Sequence, residues 1–319
     1  MARSLRTLSD LGESALIRRI ARRAGRPARE WLVGIGDDAA ILRPGRDEDL
    51  VFSTDVRVEG VHFRFGRESP RVIGRSALAV NLSDLAAMGA EPVGTLLSLC
   101  APGEMTVEVF DGMVAGFVDE ARRFACPLVG GNLSRAESCN LTVTVIGRCA
   151  RGRALRRSGL RVGDVLYVTG LLGAAALARL RADREGGALR RVPTPRLEAG
   201  RALAALPGTR ACIDLSDGLT SDLGQLLTGS THGVEVEFDA LPTPRGFSAA
   251  CRKLGLDPAW VQTAAGEDYE LLFVLDPKRA ELDPARLSAR LGVPVARIGQ
   301  VVGRPGIRGL PPLEGGHHF

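Results

Sequence analysis

The sequence predicts an α+β protein built of two domains, and three observations carry that expectation. The chain has 319 residues, enough for two domains at about 150 residues each. Its residues are 45% hydrophobic and 25% charged, which excludes a disordered chain, and its 39 glycines follow no G-X-Y period, which excludes collagen. Strand-like and helix-like patterns alternate through both halves without a clean β-α-β-α rhythm, as in α+β rather than doubly wound folds. An Arg- and Gly-rich connector over 151–164 puts the boundary near residue 150. The expected domains are therefore 1–150 and 151–319.

The elements follow in order. Residues 10–25 read as a helix, with Asp10 as cap, Glu13 as the return arm of a capping box, and Gly25 and Pro27 as the stop. Apolar residues on both sides of Gly36-Asp37-Asp38, within 31–42, predict two short β-segments. Residues 50–55 form a strand with a polar end. Residues 76–88 form a helix ended by Gly89, 93–99 a strand, and 107–124 a helix. Leu128-Val129 starts a strand that Gly130-Gly131 should break, and 141–149 is a β-run. In the second half, 165–169 is a strand and 174–180 a helix, followed by a charged loop over 181–195. A helix over 197–206, a strand ending at Ile213, a helix over 220–227 and a strand over 234–238 come next. A short helix over 249–254 and a strand over 270–275 complete the pattern.

Charge does not point to nucleic acid. The 42 Lys and Arg exceed the 37 Asp and Glu by a formal +5, with a pI near 9.1. All but Lys253 and Lys278 are arginines, as a genome-wide coding bias produces. The densest cluster (Arg18, Arg19, Arg22, Arg23, Arg26 and Arg29) lies beside Leu16, Ile17 and Ile20, the pattern of an amphipathic helix with a solvated face. Aromatics are only 4%, too few for base-stacking platforms. None of the six cysteines is spaced C-x-x-C, so free thiols in a reducing cytoplasm are expected. No apolar h-region opens the chain and no apolar run reaches the roughly 18 residues of a membrane span. The expectation is a soluble, cytoplasmic protein without membrane or nucleic-acid partners.

Chemistry is signalled by acids placed beside Gly, Ser and Thr at the ends of apolar segments. These are Asp37-Asp38, Ser53-Thr54-Asp55, Asp84 within Asn81-Leu82-Ser83-Asp84, Asp214-Leu215-Ser216-Asp217-Gly218, and Gly266-Glu267-Asp268. Hard divalent cations take carboxylate, hydroxyl and carbonyl oxygens, and Mg²⁺ is commonly shared with substrate phosphates. Any one of these acids also fits a helix cap or a turn; the group together proposes a metal–polyphosphate site. No G-x-x-x-x-G-K-[ST] loop is present, Lys253 and Lys278 lack the context of a protein-kinase lysine, and no G-x-S-x-G elbow occurs. Gly34-Ile35-Gly36 is too short for a dinucleotide fingerprint.

At these residues the sequence resembles the thiamine-monophosphate kinases, of the superfamily that includes aminoimidazole ribonucleotide synthetase and selenophosphate synthetase. The matching segments are GIGDDAAIL (34–42), STDVRVEGVHF (53–63), ALAVNLSDLAAMGAEPV (77–93), GRALRRSGLRVGDVLYVTG (152–170), IDLSDGLTSDLG (213–224) and GEDYELLF (266–273). They run in family order across nearly the whole chain. The resemblance implies an aminoimidazole-ribonucleotide-synthetase-like fold, with a β-rich N-terminal dimerisation domain and a C-terminal α/β domain that completes the cleft. It implies transfer of the γ-phosphoryl group of ATP to thiamine monophosphate, with several Mg²⁺ ions, in a homodimer. Carried over by motif, Asp38, Ser53, Thr54, Asp55, Asp84, Asp214 and Asp217 resemble Mg²⁺ ligands, with Asp37 a further candidate. Asp55, Asp84 and Asp217 would be central to catalysis. Gly130, Gly131, Arg157 and Ser216 resemble nucleotide-contacting positions. His62 and Glu267 resemble positions that hold the thiamine phosphate.

Two positions depart from the family pattern. Gly130-Gly131-Asn132 stands where relatives carry Gly-Gly-Asp, so Asn132 offers its metal and nucleotide only a neutral carbonyl. Gly316 stands where relatives place an aromatic, which leaves His317 or Phe319 to cover the thiazole ring. The alternatives are a related ATP-dependent synthetase with another acceptor, and a nucleotide-binding relative with weakened catalysis.

Overall fold

The computed structural model describes residues 7–11, 13–25, 29–33, 35 and 41–311. It divides into two compact units, each described by itself. The first holds the described residues up to Leu85, Glu91–Arg151 and Ala188–Val192. The second holds Ala86–Ala90, Gly152–Gly187 and the described residues from Pro193 on.

The first unit opens with helices α1 (Leu8–Leu11) and α2 (Glu13–Ala24). Asp10 lies inside α1 and not before it; its carboxylate accepts the Thr7 N–H at 2.8 Å, the return arm of a capping box. Strands β1 (Trp31–Val33) and β2 (Ile41–Leu42) pair antiparallel as the apolar flanks of the acidic turn predict. The Trp31 indole donates to the Val93 carbonyl at 2.7 Å.

A four-stranded sheet follows in the order β3-β6-β4-β5, from β3 (Glu48–Val58), β4 (Glu91–Ala101), β5 (Leu128–Arg135) and β6 (Asn140–Ala150). One face is buried through Leu97, Leu99, Leu141, Val143 and Val145. Helices α3 (Pro70–Ala87) and α4 (Val107–Arg123) belong to that side: Ser53 on β3 bonds Asp84 on α3, and Cys139 touches Met113 on α4 at 3.9 Å. Helix α3 starts six residues earlier than its sequence pattern suggests. Pro70 suits a first helical turn, and the Ser69 carbonyl accepts the Ile73 N–H. Ala77, Leu78, Ala79, Leu82 and Leu85 are wholly buried, so no single apolar stripe marks where the helix begins.

The expected break at Gly130-Gly131 does not occur: β5 runs through both glycines to Arg135. A Cβ at Gly131 would lie 1.9 Å from the Leu97 carbonyl oxygen. The missing side chain lets β5 close onto β4 and does not end it.

The second unit is a six-stranded sheet in the order β12-β9-β11-β7-β10-β8. Its strands are β7 (Val165–Thr169), β8 (Thr209–Asp214), β9 (Gly233–Val236), β10 (Leu271–Leu275), β11 (Val295–Val302) and β12 (Gly306–Arg308). Every pair is antiparallel except β12 with β9. The central strands β7 and β10 are buried at every residue, which requires cover on both faces. Leu219, Leu223 and Leu226 of α7 (Leu219–Leu226) pack on one face with Leu166, Val168, Ile213, Leu272 and Ile298. Tyr167 and Phe273 stack at 5.4 Å, and the Tyr167 hydroxyl donates to the Leu282 carbonyl at 2.8 Å.

Helices α5 (Ala174–Glu185), α6 (Leu197–Ala205), α8 (Phe247–Lys253), α9 (Pro258–Thr263) and α10 (Pro284–Leu291) complete the unit. Helix α5 continues five residues past the expected Leu180 and stops at Gly186. Helices α9 and α10 escape the periodicity analysis, yet both open on Asp-Pro. Asp257 and Asp283 cap them by accepting backbone N–H groups, with proline at the first helical position. Strands β11 and β12 also extend the expected set.

Gly131→Ala is expected to destabilise the protein by about 2 kcal/mol or more, because backbone must move to admit the methyl group. Urea unfolding followed by circular dichroism measures it.

Candidate active site

In the second unit the acids gather where β8 ends. Asp214 is its last residue, 3% exposed. The chain turns through Leu215, Ser216, Asp217 and Gly218 into α7, which carries Asp222 at 1% exposure. The segment Gly266–Glu270 lies alongside. Glu267 N–H donates to the Ser216 carbonyl, Tyr269 N–H to the Leu215 carbonyl, and Leu215 N–H to the Glu270 carbonyl, each at 2.8 Å. This lacing holds Gly266, Glu267 and Tyr269 at φ of 69°, 65° and 53°. A Cβ at Gly266 would lie 2.6 Å from the Ser216 carbonyl oxygen, so glycine is required there. Left-handed backbone at Glu267 and Tyr269 is strain of the kind found at functional sites.

Each remaining acid of the second loop has a defined partner. Asp268 accepts the Gly173 N–H with both oxygens, at 3.0 and 2.9 Å. Glu270 is 4% exposed; it accepts from the Thr169 hydroxyl at 2.7 Å and forms a two-armed pair with Arg196. Glu267 pairs with Arg179 at 2.9 Å. Asp217 is exposed, and its N–H donates to Asp222 at 3.2 Å. Burial pushes the Asp222 carboxyl up to about 7, and the charges of Asp217 and Asp214 push the same way. Arg157 donates to Gln225 at 2.6 Å.

In the first unit the sheet sorts the expected residues by face. Ser53 and Asp55 share one side of β3, where Ser53 is half-buried and its hydroxyl donates to Asp84 of α3 at 2.5 Å, while Asp55 is exposed. Asp55 accepts the Val56 N–H at 2.6 Å. Thr54 points to the opposite, half-exposed face, where it meets Thr144 at 3.1 Å. Register places Thr54, Thr144, Leu96 and Gly130 in one row, and Val56, Thr142, Ser98 and Asn132 in the next. Asn132 bonds Ser134 at 2.9 Å. His62 is exposed in the turn after β3. Its Nδ1 accepts the Val58 N–H at 3.0 Å, which leaves Nε2 as the hydrogen donor facing outward.

The structure therefore brings Ser53 together with Asp84, and Asp214, Ser216 and Asp217 together with Glu267. It sets Thr54 and Asn132 on the other side of the sheet from Ser53 and Asp55. Asp37, Asp38 and Phe319 lie outside the described residues. Asp222, Gln225, Arg179 and Glu270 are additions to the expected set. Asp222 is eight residues after Asp214 on a leucine-rich helix, where it reads as a surface acid until its burial is seen. Among the described residues, no three His, Cys, Asp or Glu side chains converge to hold a metal alone. The donors instead come as paired carboxylates and hydroxyls. Such a set fits Mg²⁺, which keeps waters and shares substrate phosphates, and it fits no all-protein cage.

The fold and these loops define a class. Residues 36–149 match the AIR synthase related protein N-terminal domain, and 161–310 match its C-terminal domain. The chain belongs to the AIR synthase related proteins and, within them, to the thiamine-monophosphate kinase family. It is 39% identical over 306 residues to the thiamine-monophosphate kinase of Salmonella typhimurium, covering 91% of this chain and 90% of the relative. The crystal structure of the Stenotrophomonas maltophilia thiamine-monophosphate kinase matches with a TM-score of 0.79 at 37% identity, over 93% of this chain and 96% of that one. A structure of AaThiL complexed with AMPPCP and TMP matches with a TM-score of 0.75 at 28% identity, over 96% of both chains.

The raised Asp222 value links stability to pH. Native Asp222 holds its proton up to about pH 7, whereas the unfolded chain releases it near the ordinary 3.8. Metal-free stability should therefore fall as pH rises from about 4 to about 7. In EDTA, Asp222→Asn should unfold at a higher temperature than the parent protein at pH 8, with the gap closing towards pH 4. A thermal melt series across pH reads this directly.

Proposed function

We propose that this chain transfers the γ-phosphoryl group of ATP directly to the phosphate of thiamine monophosphate, giving thiamine diphosphate and ADP. The observation that carries the reading is the acid loop 214–218 laced to 266–270, in a chain that belongs to this family over nearly its whole length. The relative bound to AMPPCP, an ATP analogue, and TMP supports the same pair of substrates.

The chemistry suits a site of acids without a general base. The nucleophile is a phosphate oxygen, already ionised at neutral pH. The protein has to align two anions in line and offset their repulsion. Mg²⁺, when bound, supplies that charge neutralisation. Ser53, Asp55 and Asp84 would hold it in the first unit, together with Asp38. Asp214 and Asp217 would hold it in the second. Thr54 and Asn132 face away from Ser53 and Asp55, so their ligand role belongs to a separate ion. Ser216 and Arg157 in the second unit, and Gly130 and Gly131 in the first, are each nucleotide-contacting positions by the resemblance. For the thiamine phosphate, His62 in the first unit offers its Nε2 hydrogen, and Glu267 in the second is fixed by Arg179; the role of Phe319 rests on the resemblance alone.

The working form is a homodimer in the cytoplasm. What supports the dimer is the half-exposed sheet face, with Phe52 62% exposed beside Thr54, Val56, Leu96 and Thr144. A second copy of that face would cover it.

Purified protein with excess Mg²⁺, ATP and thiamine monophosphate should yield thiamine diphosphate; no product would sink the reading. Turnover with an aminoimidazole precursor or selenide instead would move the acceptor to another member of the superfamily. Asp84→Asn and Asp214→Asn should each lower kcat by about 10²-fold or more while leaving the thermal midpoint within a few degrees. A collapsed fold would make those acids structural. Phe52→Arg should convert a dimer to a monomer in light scattering, and an unchanged mass would remove this face as the interface.

A further inference from the structure

We infer that Gln225 is a positioning residue that couples Arg157 to the Asp217–Asp222 carboxylate pair. The inference rests on the kinase reading for the nucleotide role of Arg157.

Gln225 sits on α7, three residues after Asp222, so the two share a helix face. Its side-chain carbonyl accepts Arg157 Nη1 at 2.6 Å. Its amide nitrogen stands 3.4 Å from Asp217 Oδ2 and 3.5 Å from Asp222 Oδ1. Those two contacts are long, and the carbonyl contact is short. Asp222 in turn accepts the Asp217 N–H. One neutral amide thus meets a cation at its oxygen and two carboxyl groups at its nitrogen, the only polarity that satisfies both ends.

Other side chains would fail in specific ways. A carboxylate here would keep the acceptor but face Asp217 and Asp222 with like charge. An apolar side chain would release both ends. Arg157 lies in the irregular segment 151–164, and among the described residues it forms no ion pair. Its neighbour Arg156 accepts the Cys212 N–H at 2.9 Å, which anchors the segment along β8. Freed from Gln225, the Arg157 guanidinium could swing onto Asp217. That ion pair would remove a cation from the nucleotide and a carboxylate from the metal. Gln225 keeps the two charges near each other but unpaired.

A double-mutant cycle on the full chain tests this. The probe is AMPPCP with excess Mg²⁺, titrated by calorimetry against the parent protein, Gln225→Met, Arg157→Met and the double variant. Gln225→Met should weaken binding about fivefold, the scale of one hydrogen bond, and raise the KM for ATP by a similar factor. The double variant should bind no more weakly than Arg157→Met alone, because the two residues act as one unit. Fold-losses that multiply, or a Gln225→Met protein with unchanged affinity, would overturn the coupling. A lowered thermal midpoint with unchanged KM would also overturn it, since that marks a merely structural residue. Parent protein that binds AMPPCP but makes no thiamine diphosphate would remove the acceptor reading and leave the coupling standing. Turnover with a multiplicative cycle would remove the coupling alone, and no AMPPCP binding by the parent would remove both.

Discussion

Two carboxyl groups, Asp214 and Asp222, are buried within one short stretch of chain, and the second unit is organised around tolerating them. Water is largely excluded from both, and Arg157 is held by the Gln225 amide. Amide N–H groups of Asp217 and Gly218 approach Asp222 and offset part of its desolvation. The Gly266–Glu270 segment then locks the loop with three main-chain bonds. Its left-handed residues follow from that lock: the segment must double back within a few residues to present its N–H groups to Ser216 and Leu215.

The matched acids show the contrast. Glu270 is as buried as Asp214 but is gripped by Arg196 and Thr169, and Arg210 sits between Asp164 and Asp276. Buried carboxylates with fixed cations are framework, because removing one partner strands the other. The Asp222 carboxyl, offset by backbone N–H dipoles and crowded by Asp217 and Asp214, keeps a need for positive charge. That difference separates Asp222 from Glu270, Asp164 and Asp276, and it makes the loop suitable for a cation that arrives with its phosphate.

In the first unit the corresponding constraint is the two-residue period of a strand. Ser53, Thr54 and Asp55 are consecutive, so one of them must face away from the other two. Ser53 reaches Asp84 under the helices, while Thr54 joins Thr144 on the opposite face. A run of three ligand-like residues therefore cannot serve one ion. Asn132 follows the same rule, in register with Ser98 and Thr142 on the outer face. By local preference the Gly130-Gly131 pair preceding it predicts a strand break, because glycine weakens a strand. Its effect is non-local: it admits the Leu97 carbonyl.

The sequence alone determined the two-unit α+β plan, most of the strands and helices, the family, and the identity of the acid segments. These are local patterns: periodicity, turn residues and motif spacing. Helices α9 and α10 are too short for a periodicity signal, but their Asp-Pro caps are local signals too. Only the tertiary structure decided which acids are buried, which carry a matched cation, and which face of the sheet each candidate ligand occupies. Asp222, Gln225 and Arg196 gained their importance from partners 68 or 74 residues away, or from loss of solvent. Neither quantity is written in the neighbouring residues, because burial and long-range pairing belong to the folded chain and not to any segment of it.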